Sequence, residues 1–202
     1  MNTTRFATIV TAALAIAPIC AAQSPKLLQI TSPADGAIVN PGQTVKVTVT
    51  SPANVQFEVV RLVSPIEDAI SGFATSVPAE LSLPVPPDLN CGKYLVHVVG
   101  LTVSGQSISE HIELDVERPD MPIQLSFLND YRQLELVALG EPFHMNVLAT
   151  FSDDRILEVT ESSHVTYDSS NTNVATVDRS GEITPVGIGS ASVSAIGPAQ
   201  PG

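Results

Sequence analysis

At 202 residues the chain is long enough for one large domain or two small ones. A formal net charge of −12 makes a polyanion such as nucleic acid an unfavourable partner; it keeps the chain soluble and leaves carboxylates available to a hard cation. Sixteen prolines break every stretch long enough for an extended helix, while recurring Val, Ile and Thr suit a pleated surface, so the composition predicts an all-β fold.

The N-terminus reads as a leader. Arg5 supplies a positive start, Phe6 to Ile19 is an apolar run of secretory-signal length, and Cys20-Ala21-Ala22 offers small residues for cleavage before Gln23. The run is too short to span a membrane comfortably, and the sequence holds no other candidate span. Lipid attachment at Cys20 is the weaker reading, because Ile19 stands where a lipoprotein signal wants a small residue. With residues 1–22 removed, Cys91 is the single cysteine and an intrachain disulfide is excluded.

From residue 23 the chain alternates between short apolar strands and turn residues. Leu27 to Ile30 is the first strand, and Pro33-Ala34-Asp35-Gly36 and Asn40-Pro41-Gly42 are turns. In Thr44 to Thr50, Val45, Val47 and Val49 alternate with Lys46, Thr48 and Thr50, which predicts one buried and one wet face. Val55, Phe57 and Val59 are expected to face inward in the same way, and Glu67-Asp68 to begin a helical turn. Leu81 to Val85 is a strand. Tyr94, Val96 and Val98 alternate with Leu95, His97 and Val99, Ser104-Gly105 is a hairpin turn, and Ile108 to Val116 returns with Ile112, Leu114 and Val116 inward. Roughly seven strands in residues 23–117 is the density of an immunoglobulin-like sandwich.

Glu117 to Pro122 is predicted to be an extended, semi-rigid linker, since it holds two prolines. A second unit, residues 123–196, is expected to contain a strand at Leu134 to Val137 and a long one from Phe143 to Phe151, with Met145, Val147, Ala149 and Phe151 on one face. Ser152-Asp153-Asp154-Arg155 turns into Ile156 to Thr160. Ser169 to Ala195 then reads strand, turn at Ser180-Gly181, strand, break at Gly187 and Gly189, strand. Residues 197–202 form a tail.

The second unit resembles the group 2 bacterial immunoglobulin-like domains. The residues that carry the likeness are Tyr167-Asp168-Ser169-Ser170-Asn171, Val174-Ala175-Thr176-Val177-Asp178, Gly181, Ile183-Thr184, Val186, Gly189, Ala191 and Val193. Tyr167 stands at an aromatic position that this family often fills with tryptophan. The first unit is similar to a more divergent bacterial immunoglobulin-like or fibronectin-like module through Ile30-Thr31-Ser32-Pro33, Asp35-Gly36, Pro41-Gly42-Gln43 and Gly92-Lys93-Tyr94. That likeness implies a corner role for the Tyr94 hydroxyl. The expected architecture is two tandem immunoglobulin-like β-sandwiches after a signal peptide.

Chemistry-bearing groups are sparse. The nucleophile-elbow pattern is missing; Gly105-Gln106-Ser107-Ile108-Ser109 approaches it but lacks the second glycine. Cys91, in a turn before a strand, reads as structural. His97, His111, His144 and His164 are scattered, and only His97 and His111 are expected to face each other across neighbouring strands. No cofactor is expected. The one ion considered is Ca²⁺, with Glu117 and Asp120 at the junction and Asp153 and Asp154 in the hairpin turn as candidate ligands. The resemblance, the leader and the lack of a catalytic constellation imply a non-enzymatic structural or adhesion module, secreted or in the cell envelope, with a surface glycan, matrix protein or envelope protein as the partner class. The alternative is an accessory spacer or carbohydrate-binding region of a larger secreted enzyme or surface protein, of which this chain is a part.

Overall fold

The computed structural model describes residues 26–66, 72–128 and 140–198. All regular elements among these residues are strands. The leader, the turn expected at Glu67-Asp68 and the strand expected at Leu134 to Val137 lie outside the described residues.

Eight of the described strands fall in the first unit: β1 (Gln29–Ser32), β2 (Ala37–Val39), β3 (Thr44–Thr50), β4 (Phe57–Val63), β5 (Phe73–Ala74), β6 (Ala79–Pro84), β7 (Gly92–Thr102) and β8 (Ser107–Val116). They form two sheets, ordered β1-β3-β6 and β2-β8-β7-β4-β5. The alternation in β3 is realised: Val47 and Val49 are fully buried and Val45 nearly so. They join Leu81 and Leu83 from β6 against Val60, Leu62, Val96, Val98 and Leu114 from the other sheet. Each such side chain contributes about 1.5–3 kcal/mol by leaving water, most of it offset by the lost freedom of the chain.

One expected phase is corrected. Phe57 is buried, yet Val59 is only partly covered, and Val60 and Leu62 fill the core instead. The β4–β7 register slips between Phe57 and Val59. A bulge there inserts one residue, and because strand side chains repeat every second residue, the slip exchanges the two faces beyond it.

The second unit contains β9 (Gln124–Phe127), β10 (Phe143–His144), β11 (Val147–Thr150), β12 (Ile156–Glu158), β13 (Thr166–Ser169), β14 (Ala175–Val177), β15 (Glu182–Pro185) and β16 (Val193–Ile196). Its sheets are ordered β12-β11-β9, β10-β15-β14 and β13-β16, and among the described strands no ladder joins β1–β8 to β9–β16. The single strand expected from Phe143 to Phe151 is two. Phe143 and His144 pair with β15, whereas Val147 to Thr150 pair with β12 and β9. The chain changes sheets at Met145-Asn146, which lets one apolar run serve both layers. Val147, Ala149 and Phe151 are buried as expected and pack with Leu157, Val159 and Val165.

The run from Ser169 to Ala195 supplies β14, β15 and β16, as its pattern predicts. Its central turn is organised by Asp178, whose Oδ1 accepts from Ser180 Oγ at 2.7 Å, Ser180 N at 2.9 Å and Glu182 N at 3.0 Å. The Ser180 hydroxyl and these amides outweigh a small burial effect and hold the Asp178 carboxyl below the usual carboxylate range. Gly181 adopts φ +75°, a conformation that glycine takes without strain.

Candidate functional site

The segment that follows β8 is anchored on both sides. Val116 is fully buried and Glu117 is 2% exposed. Glu117 N donates to Val39 O at 2.9 Å, prolonging the β2–β8 pairing, while its carboxylate crosses to the second unit. There Oε2 accepts from Ser162 Oγ at 2.7 Å and Oε1 from Ser163 N. A buried carboxylate needs such donors, because leaving water unpaired would be costly.

Arg118 points to a different part of the same unit. Its guanidinium stacks over the Phe151 ring, donates from Nε and Nη2 to the two oxygens of Asp120 at 2.7 and 2.9 Å, and reaches Asp153 Oδ2 at 3.1 Å. Fork-to-fork pairing of this kind is the strong form of arginine–carboxylate contact. Burial works against ionisation of Asp153. The Arg118 hydrogen bond, the Arg155 amide and the charges of both arginines prevail, and hold its carboxyl below the usual range. Arg155 completes the chain of contacts: its Nε lies 3.4 Å from Asp153, and its Nη1 donates to Pro87 O of the first unit.

A third set of bonds comes from the loop before β7. Asn90 Oδ1 accepts from Glu158 N at 3.0 Å, and Cys91 N donates to Glu158 O at 3.0 Å. The Cys91 side chain belongs to the core of the second unit although it lies in the sequence of the first. Burial, above all, pushes its thiol up to about 11; the neighbouring Arg118 backbone opposes this and the Glu117 charge adds to it. Cys91 is a packing residue held as the neutral thiol, in keeping with the structural reading of its sequence.

Beside these bonds an open cleft of about 240 Å³ separates the units, lined by Asn90, Lys93, Tyr94, His144, Glu158 and Glu161 among others. Tyr94 OH donates to Asn90 O at 3.0 Å, the corner role implied for it. Asn146 Nδ2 and Thr160 Oγ1 both donate to Glu158 Oε1, at 2.8 and 3.0 Å.

The four calcium candidates are not gathered in one place. Asp120 and Asp153 meet around the Arg118 guanidinium, Glu117 faces Ser162 and Ser163, and Asp154 sits in the hairpin turn at φ +61°. Among the described residues no group of three or more His, Cys, Asp or Glu side chains is arranged to hold a metal ion. His97 does stand opposite His111, and Ser107 is the exposed first residue of β8. The sequence reading missed Arg118, Asn90, Ser162 and Glu158 as junction residues. The one usable signal was Arg118 lying between two acids, Glu117 and Asp120; the partners beyond it are remote in the chain.

The fold and this junction define an all-β protein built from immunoglobulin-like β-sandwiches. Residues 145–200 match the family of bacterial Ig-like domains (group 2), so the C-terminal half of the chain contains a domain of that family. Among solved structures, the fibronectin(III)-like modules of Clostridium thermocellum CbhA are 18% identical over 44% of this chain and 93% of theirs, with a TM-score of 0.37. The endo-β-1,4-mannanase of Thermotoga petrophila is 14% identical over 48% of this chain and 21% of its own, with a TM-score of 0.36. Drosophila N-cadherin EC1-4 is 17% identical over 81% of this chain and 41% of its own, with a TM-score of 0.30. No curated protein matches the chain. Among the described residues no helix is long and apolar enough to cross a membrane.

Proposed function

We propose that the chain is a non-catalytic structural and adhesion module of a secreted or cell-envelope protein, in which two β-sandwiches hold a fixed relative orientation. The observation that carries this reading is the junction: Glu117 is hydrogen-bonded to Ser162 and Ser163, and Arg118 to Asp120 and Asp153. A carboxylate and a guanidinium on adjacent residues, each engaging a different part of the second unit, resist both bending and twisting. Export is supported by the signal-like leader at residues 1–22. Binding to a glycan, matrix protein or envelope protein would use the loop ends and the cleft beside Tyr94.

Two measurements on residues 23–202 test the proposal. Small-angle scattering should fit one orientation of the two units, and a glycan and matrix-protein array should give binding above an unrelated β-sandwich. Scattering that requires a broad range of orientations would overturn the fixed-spacer role. An array no better than the control would remove adhesion and leave the spacer.

A further inference from the structure

The five-stranded sheet of the first unit keeps Val96, Val98 and Ile112 inside and turns the intervening residues outward. On that outer face the β7–β8 ladder sets His97 directly opposite His111, with ring centres 5.5 Å apart and the planes tilted by 39°. Opposed residues on antiparallel strands have Cβ atoms about 4.5–5.5 Å apart, so the backbone itself holds the two imidazoles together. Among the described residues neither ring shares its nitrogens in a hydrogen bond or an ion pair.

The spacing suits a chelate. With an imidazole nitrogen about 2.0–2.1 Å from a bound ion, the ring centre lies roughly 3.2 Å from it. Two rings on one ion then have centres about 4.5 Å apart at a right angle and about 5.2 Å apart at a tetrahedral one. The observed separation exceeds the tetrahedral value by a few tenths of an ångström and the right-angled value preferred by tetragonal Cu²⁺ by about 1 Å, distances that side-chain rotations supply without moving the strands.

The surroundings select the ion. Val63 is the next residue across the sheet from His97, and Glu113, two residues beyond His111, is engaged by Lys93 at 2.7 Å. Among the described residues no cage of oxygens surrounds the pair to suit Ca²⁺ or Mg²⁺. Two imidazole nitrogens suit ions of borderline softness, whose affinity for a given nitrogen site peaks at Cu²⁺. We propose that His97 and His111 form a two-imidazole surface chelate for a divalent transition ion, tightest for Cu²⁺, with the remaining positions taken by water or by a donor from another molecule.

Untagged residues 23–202 should bind one Cu²⁺ in calorimetry, with nitrogen coordination visible by electron paramagnetic resonance and no response to Ca²⁺. Because the pair exists only in the folded ladder, Cu²⁺ should also raise the melting temperature. His97→Asn and His111→Asn should each weaken binding by at least about 10–100-fold, since even supporting contacts to a bound metal are worth that much. His144→Asn should bind as the parent does, because His144 faces Glu182 across its own ladder. Unmodified melts without metal will show that the variants fold. Equal Cu²⁺ affinity in the parent and both strand variants, or loss in His144→Asn alone, would overturn the assignment.

Discussion

The guanidinium carbon of Arg118 lies 4.4 Å from the centre of the Phe151 ring, which is itself part of the second core. The residue that leaves the first sandwich therefore covers the hydrophobic centre of the next one. A cation over an aromatic face contributes about 0.5–2 kcal/mol, depending on how far it is shielded from water. Arg118→Ala should destabilise the protein by about 1–3 kcal/mol and broaden the scattering envelope. Arg118→Lys should recover little of this, because an ammonium cannot reproduce the planar fork. Chemical denaturation with scattering on the same samples checks both outcomes.

Glu117 fixes the junction by accepting rather than donating. Glu117→Ala leaves the buried Ser162 hydroxyl and the part-buried Ser163 amide without their acceptor, at a cost of about 1–3 kcal/mol. Glu117→Gln retains one acceptor oxygen and should cost less. In a double-mutant cycle with Ser162→Ala, the two losses should be non-additive.

Asp115, two residues earlier, has the opposite character. Its Oδ1 is sealed from solvent without a hydrogen-bond partner among the described residues. Burial first, then the Glu117 and Glu113 charges, push its carboxyl above the usual range, against the pull of Lys93 and His164. A carboxyl raised in the folded state binds its proton more tightly there, so the ionised form opposes folding at neutral pH. This penalty is relieved as pH falls through the raised value toward the ordinary one near 3.8. Asp115→Asn should be neutral or slightly stabilising at pH 7, and should flatten that part of the stability profile in pH-dependent melts.

With a thiol pushed up to about 11, Cys91 should react slowly. At pH 8 only about one molecule in a thousand carries the thiolate, the nucleophilic form. Labelling by a disulfide reagent should be far slower in the folded protein than in denaturant. The linkage runs against stability at high pH: it is lost as pH rises past the ordinary thiol value near 9 and levels off above about 11. Cys91→Ala should remove that alkaline component from the melts.

Two glycines separate backbone strain from crowding. Gly105 has φ +85° with nothing within 4 Å of a Cβ placed there, so Gly105→Ala should cost only the conformational penalty of about 1–2 kcal/mol. At Gly181, φ +75°, a Cβ would stand 2.8 Å from both Met145 O and Thr160 Cγ2. Gly181→Ala should therefore cost about 1–3 kcal/mol more than Gly105→Ala. Equal denaturant midpoints for the two variants would show that the turn relaxes freely.

Strand identity was legible where several residues in a row alternate between core and water, as in Val45, Val47 and Val49, and not in the two- and three-residue strands β5 and β2, which are too short to show a period. It failed in phase at Val59, because a bulge is a backbone event that leaves no mark on the apolar pattern. It failed in extent at Met145-Asn146, where the chain changes sheets while the apolar spacing continues undisturbed. The junction was the least legible part. Glu117 meets Ser162, and Asn90 meets Glu158, across separations that no local period encodes. The pairing of His97 with His111 could be anticipated, because a hairpin with its turn at Ser104-Gly105 fixes the register of everything above it.

The strands β2 and β8 run parallel, with Ala37 to Val39 beside Leu114 to Val116. One lies near the entry to the first sandwich and the other at its exit. Tension applied along the chain pulls these neighbours in opposite directions along their length, so their cross-links are loaded together in shear instead of parting one after another. Glu117 N on Val39 O adds one more bond to that row, at the point where force would pass into the second sandwich. A pair of strands loaded this way parts late and all at once.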